Sequence, residues 1–550
     1  MLLSYKFQRF FKRVLIPFAV LLYIVLSFFS LHTRNIYHNG LHQLEPYRGG
    51  PFDDIKKIKC YRWYGHCNQI IENSDYDNGD IIWHRVDKNL DLNGESPSSW
   101  SFYREYLYVH ISTKKRFNSP GRAIVDLAIG DQSSKDPPFY VVNDAQSRSG
   151  RPKSRLDVTY NYNNWELRFD GIWAKYDKSN SEDAITNVQY LFGNDIIEPR
   201  ADWTLVNGNI NSNAKITVHR GPLNEKGDIL KKVPILLQQN DEFKILQVSD
   251  LHFNSDFGTC KDQVNEEHGC KADAKTLSFL HQVLDLESPD LVVLTGDIID
   301  GFNTMDYQTA ILKALSPFIS RSIPFAIALG ENDKNQYASR EEIINFIMEL
   351  PYSMMGNNDP KQHHNSISGD KTNYALRIYD SKNDHLQNVI YILDIFQEDV
   401  NQQEFLKQTF DSFTEKPKFS LEFQHHPIQQ YRPKSAFAIV GAYNEKSKLK
   451  IKTNPQIRQT LSDINVQAMS VGHEHTNECC IHSEDKDNKL KPLWLCYGGG
   501  TGEGGYGNTK IKYERRVRLF RMNTQKMEIT SWKRKQSEPS SVFDYQYIYN

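Results

Sequence analysis

Five short polar clusters, each placed directly behind an apolar run, constrain this 550-residue chain more than any other feature. The first is Ile245-Leu246-Gln247-Val248-Ser249-Asp250-Leu251-His252-Phe253. An apolar run that breaks into an acid and a histidine two positions apart predicts a buried strand ending in a loop. On extended backbone Asp250 and His252 would share a face. Four clusters follow: Gly296-Asp297-Ile298-Ile299-Asp300-Gly301, Gly330-Glu331-Asn332-Asp333, Phe423-Gln424-His425-His426-Pro427 and Gly472-His473-Glu474-His475. The last again sets two histidines on one face of extended backbone. Carboxylates and imidazoles converging at strand ends are what a divalent cation requires. Taken singly, each cluster is an ordinary turn or surface loop. In order, each behind an apolar strand, they predict a two-cation site in which Asp297 lends an oxygen to each cation. His426, next to His425 on a strand, is expected to point away.

From residue 243 onward, strands alternate with helical segments. Leu291–Leu294, Pro324–Leu329, Val389–Leu393 and Val466–Val471 are candidate strands, and Ser339-Arg340-Glu341-Glu342 forms a capping box that starts a helix. Such alternation predicts a layered α/β domain, its sheets covered by helices. The Gly-rich stretch from Gly498 to Gly507 is expected to be a loop. Upstream, Tyr106–Ile111, Arg122–Ile129 and Trp165–Phe169 are strand-like and separated by turn-forming residues, which predicts a β-rich accessory domain. The expected division is a basic cytoplasmic segment at 1–13, a transmembrane signal anchor at 14–31, a stalk at 32–56, the β-rich domain at 57–235, the α/β domain at 243–535 and a tail at 536–550.

The anchor rests on an uncharged run from Val14 to Leu31 behind Lys6, Arg9, Lys12 and Arg13. That length suffices to span a bilayer, and the basic residues place the N-terminus on the cytoplasmic side. The expected protein is single-pass type II with a lumenal or extracellular catalytic domain, or, alternatively, secreted after signal cleavage. Seven cysteines suit such a compartment. Cys60 with Cys67, and Cys260 with Cys270, are spaced to close small loops, while Cys479, Cys480 and Cys496 leave one thiol over. No N-x-[ST] acceptor with a permitted middle residue occurs, which removes one support for export. A net charge of −2 gives no electrostatic case for nucleic acid.

Together the clusters resemble the set D-x-H, G-D-x-x-D, G-N-H-D, H and G-H-x-H of calcineurin-like metallophosphoesterases, the superfamily that includes purple acid phosphatases. Cys496-Tyr497-Gly498-Gly499-Gly500 with Gly502, Gly504, Gly505, Tyr506 and Gly507, and then Arg515-Arg516-Val517-Arg518, are similar to the fungal Dcr-type phosphatases. So are Phe192-Gly193, Asp195 and Glu198-Pro199-Arg200. Ile529–Arg534 and Tyr545–Tyr549 are most similar to their yeast Sia-type relatives.

The resemblance implies a four-layer β-sandwich flanked by helices that hydrolyses phosphorylated substrates, protein or small molecule, with two divalent metal ions. One ion would be held by Asp250, His252, Asp297 and His475, the other by Asp297, Glu331, His425 and His473. Manganese, iron(II), zinc and magnesium all fit such donors. Asp300 stands where purple acid phosphatases place a tyrosine, so no purple ferric site is expected. The third cluster departs from the pattern. Glu331 replaces a neutral asparagine and adds a negative charge, and Asn332 replaces the histidine that helps the leaving group. An amide donates a hydrogen bond but transfers no proton at neutral pH. Asn332 and Asp333 are the candidate catalytic residues. Two expectations follow: a slow phosphomonoesterase, or a pseudo-phosphatase that keeps the scaffold and acts by binding a protein.

Overall fold

The computed structural model describes residues 11–18, 20–25, 51–61, 81–86, 88–90, 103–112, 122–130, 164–169, 171–178, 182–208, 213–221, 233–264, 267–356, 371–382, 385–394, 396, 401–433, 437–449, 456–483 and 490–550. The chain divides into two compact units. The first comprises Met1–Tyr190, Leu205–Ser212 and Ile216–Leu230; the second comprises Leu191–Thr204, Asn213–Lys215 and Lys231–Asn550.

Residues 11–18 and 20–25 are helical. Among the described residues, no helix is long and apolar enough to cross a membrane. The rest of the expected anchor, from residue 26, and the stalk up to residue 50 lie outside the described residues, as does Cys67 of the expected Cys60–Cys67 loop.

In the first unit, β1 (Phe52–Tyr61), β3 (Tyr103–Ser112) and β2 (Ile81–Arg85) form a three-stranded antiparallel sheet in the order β1-β3-β2. A second sheet has the order β4-β6-β5, from β4 (Arg122–Ile129), β5 (Trp165–Phe169) and β6 (Ile172–Lys178). Tyr106 and Tyr108 are buried against Cys60, as aromatic residues on a pleated surface should be. A further small sheet contains β7 (Ile185–Phe192), β9 (Ala214–Arg220) and β8 (Trp203–Leu205). No helix occurs among the described residues between 51 and 235.

The second unit carries two large sheets. One has six strands: β13 (Phe325–Ile327), β12 (Leu291–Leu294), β11 (Glu242–Val248), β21 (Arg516–Asn523), β22 (Glu528–Lys535) and β23 (Phe543–Tyr549). The other has eight: β10 (Leu236–Leu237), β14 (Tyr374–Tyr379), β15 (Leu386–Ile392), β16 (Phe419–Gln424), β18 (Ala468–Val471), β20 (Leu493–Tyr497), β19 (Cys480–Ser483) and β17 (Ile439–Val440). The sheets face each other. Gln247 of β11 donates to the Val471 carbonyl at 3.2 Å and accepts from the Ser470 hydroxyl at 2.6 Å, while the Phe423 and Phe520 rings meet edge to face. Two parallel series matter most: β11, β12 and β13 in one sheet, and β15, β16, β18 and β20 in the other. Parallel strands bring their carboxyl ends to one edge, where ligands of open α/β sheets bind. The five polar clusters leave the ends of β11, β12, β13, β16 and β18.

Helices α1 (Ala272–Glu287) and α2 (Tyr307–Ser320) connect β11, β12 and β13, and α3 (Arg340–Glu349) follows β13. The capping box forms: Ser339 accepts from the Glu342 amide at 3.2 Å and Glu342 accepts from the Ser339 amide at 2.6 Å. Helices α4 (Gln402–Asp411) and α5 (Ile457–Asp463) send Leu406 and Leu461 into a core with Val389, Tyr391, Met469, Val471 and Leu495 of the eight-stranded sheet. Cys260 pairs with Cys270, and Cys480 on β19 bonds to Cys496, its register partner on β20; Cys479 is the free, buried thiol.

Candidate metal centre

All seven expected ligands gather at this edge. Asp250, His252 and His475 form one group; Glu331, His425 and His473 belong to another; Asp250, Asp297 and His425 form a third that links them. Asp297 Oδ2 lies 3.7 Å from His252 Nε2 and 3.6 Å from His425 Nε2, between the two sides. On the first side, His475 Nε2 is 3.3 Å from both His252 Nε2 and Asp250 Oδ1. On the second, Glu331 Oε2 is 2.8 Å from His425 Nε2, and Oε1 is 3.0 Å from His473 Nδ1.

The route by which these side chains converge differs from the one expected. Strand β11 ends at Val248, and Asp250 and His252 then take left-handed backbone, with φ of 54° and 50°. Asp297 at 52° and His473 at 67° do the same. Shared faces of extended backbone therefore do not explain the pairs. His473 and His475 go to opposite sides of the centre. Left-handed backbone at a non-glycine residue costs on the order of 1–3 kcal/mol and persists where surrounding structure over-determines it.

His426 also corrects expectation. Strand β16 stops at Gln424, so alternation lapses before the histidine pair. His426 turns inward, its Nε2 2.8 Å from Glu331 Oε2 and its ring centroid 3.8 Å from that of His473. It joins the Glu331, His425 and His473 group.

Two imidazoles are oriented from behind. His425 Nδ1 donates to the Thr295 carbonyl at 2.7 Å and His475 Nδ1 to the Tyr506 carbonyl at 2.8 Å. Each Nε2 is thereby turned to face the centre, the way an outer partner orients a metal-binding histidine. The Tyr506 ring stacks on His475 with centroids 3.8 Å apart. In the sequence Tyr506 stands out only within the glycine-rich resemblance, with no role at the site. A Cβ at Gly505 would lie 2.6 Å from His475 Cε1 and 2.9 Å from His252 Cδ2. Gly296, at φ +83°, would drive a Cβ to 2.3 Å from His425 Nδ1.

The electrostatics are those of mutual compensation. Burial would raise the Asp250 carboxyl, but His475, and after it His425 and His252, holds it below its ordinary range. Burial likewise would raise Glu331, and contact with His425, His426 and His473 holds it far below. Burial would lower His425, yet Asp297, Glu331 and Asp250 raise it well above its ordinary value. Burial, with His475 second, pushes His252 down to about 4.

The two residues expected to be catalytic are both engaged in hydrogen bonds to the loops of the centre. Asn332 donates its backbone N–H to Asp297 Oδ1 at 2.8 Å and its side-chain amide to Oδ2 at 2.7 Å. It steadies the central carboxylate. Asp333 is buried and accepts from the N–H groups of Asp297, Ile298, Ile299 and Gly330 at 2.7–3.3 Å. It ties the second and third loops together, and burial followed by the Asp297 charge pushes it up to about 7. Asp300 lies aside, bonded to the Asn303 amide at 3.0 Å and 3.5 Å from Lys261 Nζ.

The donors fit divalent cations. Asp250 Oδ2 is buried with no hydrogen-bond partner among the described residues. Carboxylates interleaved with oriented imidazoles are the donor types of first-row metal and zinc sites.

Comparison with known proteins agrees with the geometry. Residues 243–477 match the model of the calcineurin-like phosphoesterase family. Protein SIA1 of Kluyveromyces lactis is 31% identical, the match covering 90% of this chain and 89% of that protein. Phosphatase DCR2 of Saccharomyces cerevisiae is 28% identical over 88% of this chain and 84% of that protein. A protein of Arabidopsis thaliana named probable inactive purple acid phosphatase 28 is 28% identical over 58% of this chain and 86% of its own length.

Proposed function

Because this chain belongs to the calcineurin-like phosphoesterase family, we propose that it is a metal-dependent phosphomonoesterase of low turnover. The observation that carries this reading is Asp297, whose Oδ2 stands between His252 and His425 and joins two ligand groups into one site. Asp250, His252, Asp297 and His475 would hold one divalent cation, and Asp297, Glu331, His425 and His473 the other. Bound there, the cations supply activation of water and neutralisation of phosphoryl charge.

The residues of this chain set the rate. Three carboxylates, Asp250, Asp297 and Glu331, leave less positive field for an anionic ester than two carboxylates and a neutral amide would. Asn332 binds Asp297 and carries no transferable proton. Loss of general acid help typically costs about 10²–10⁴-fold in rate, and less when the leaving group is already stable. Aryl phosphates and phosphoanhydrides are therefore the favoured substrates. A second reading, a pseudo-phosphatase acting by protein binding, is favoured by the same engagement of Asn332 and by the relative named inactive.

The test is direct. Purified full-length protein should contain metal and hydrolyse an aryl phosphate with added Mn²⁺, and Asp297→Asn should abolish both properties. Metal bound with activity no greater than that of the variant would remove the enzyme reading.

The same proposal extends to architecture and location. The crossovers through α1 and α2 should cover the outer face of the six-stranded sheet, because its other face meets the eight-stranded one. With α4 and α5 outside, that makes four layers. We assign 231–550 to this domain in place of the expected 243–535 and tail at 536–550, because β10 and β23 pair within its two sheets, and the strands β1 to β6 to the accessory domain. We also place the catalytic domain across a membrane from an N-terminal anchor at 14–31. The basic residues before the apolar run and the Cys260–Cys270 and Cys480–Cys496 bonds support this placement. Digestion of the C-terminal domain by protease in intact sealed vesicles would rule it out.

A further inference from the structure

The geometry points to His426 as a further protein ligand on one side of the centre, so that one cation is held by Glu331, His425, His426 and His473 together with the shared Asp297. The inference rests on the metal-dependent reading above and adds to it a residue outside the expected ligand set.

Three observations carry it. The donor atoms of Glu331, His425, His426 and His473 all lie within 4.8 Å of one another. His426 is 5% exposed, and its Nε2 makes no aligned hydrogen bond although Glu331 Oε2 is only 2.8 Å away. A buried imidazole nitrogen close to a carboxylate and to two other imidazoles, without a bond of its own, has a lone pair free for a cation. The ring is also held in place. Phe396 meets it edge to face at 5.2 Å, and the Gln424 amide donates to the His426 carbonyl. Removing His426 would leave Glu331 with two imidazoles in place of three.

The ligand set decides what the site prefers and how open it is. With the shared Asp297, three imidazoles and two carboxylates fill the shell of a zinc ion on the Glu331 side, whereas catalytic zinc sites keep a position free for water or substrate. The side built from Asp250, His252, His475 and the shared Asp297 has two imidazoles and one protein donor fewer, and is the more open of the two. Zinc should therefore fill the Glu331 side first and stay there, leaving the Asp250 side to exchange its cation. Such an occupied side contributes charge and shape but little room for a phosphoryl oxygen, which deepens the expectation of slow turnover.

X-ray absorption of wild-type protein loaded with one equivalent of zinc counts the imidazoles directly. Three are expected, and two or fewer overturn the assignment. In parallel, zinc affinity is measured by competition with a chromophoric chelator for wild type and His426→Ala, with the visible spectrum of each Co²⁺-loaded protein. Loss of an outer partner of a metal ligand costs roughly 10–100-fold in affinity. A larger loss, with a changed cobalt spectrum, supports ligation; a loss within that range or an unchanged spectrum overturns it. Should His426→Ala fail to fold, the wild-type absorption measurement decides alone. Wild-type protein that binds no zinc, manganese or cobalt would sink the phosphatase reading too, whereas two imidazoles on a bound zinc would leave that reading standing.

Discussion

At the scale of single residues, the third loop concentrates what is individual to this chain. Replacing Glu331 by Asn and Asn332 by His together restores a neutral ligand and an imidazole at the leaving-group side. The expected result is a rise of about 10²-fold or more in kcat on an aryl phosphate, within the range general acid help supplies. Steady-state kinetics of the double variant checks it, and an unchanged rate would show that the third loop is not what limits turnover. A second residue stands apart from the site. Glu422 is buried on β16, neither of its oxygens has a hydrogen-bond partner among the described residues, and burial raises its carboxyl well above its ordinary value of 4.5. A carboxyl whose folded pKa is raised binds its proton more tightly when folded. Its contribution to stability is thus present below the ordinary carboxyl range and is lost as pH rises toward the raised value. Urea midpoints of wild type should fall across that window more steeply than those of Glu422→Gln, and parallel curves would contradict this. Residue identities at the site were legible because donor types cannot be disguised. The directions of side chains were not: the left-handed turns at Asp250 and His473, and the end of β16 before His426, have no signature in local alternation.

Secondary-structure elements were easier to read, for the reason that each carries a repeated signal. The runs before the five clusters are buried on both faces, as parallel strands between two covers must be, and their apolar continuity announced them. The helix behind Ser339 announced itself by its cap. Order among strands left no such trace, so the antiparallel return of β21 beside β11 was not foreseen. Buried ion pairs between elements were equally silent. Lys313 on α2 is fully buried, 2.7 Å from Asp273 of α1 and 3.4 Å from Asp195, and donates to the Asp256 carbonyl. Lys313→Ala would strand the Asp273 carboxylate and should cost about 3–5 kcal/mol in urea unfolding. Lys313→Met with Asp273→Leu should lose far less, because the uncompensated charge goes with its partner. Equal losses in the two variants would mean that packing, not charge, is at stake.

At the scale of the whole molecule, the metal centre sits where two sheets present their strand ends, so cation binding couples five loops. Stripping metal with a chelator should lower Tm, and adding it back should restore stability by about 2.7 kcal/mol at a hundredfold excess over Kd. Differential scanning calorimetry checks this, with Asp297→Asn expected to respond weakly. No response in wild type would mean that the folded and unfolded chains bind the cation alike. The left-handed backbone beneath Asp250, His252, Asp297 and His473 has one more implication. Those four positions tolerate few amino acids for conformational reasons alone, whatever chemistry they perform. Glu331 and Asn332 carry no such restriction. Divergence can therefore rewrite reactivity at the third loop while the scaffold around it stays intact, and a lineage could drift between catalyst and non-catalyst through two codons.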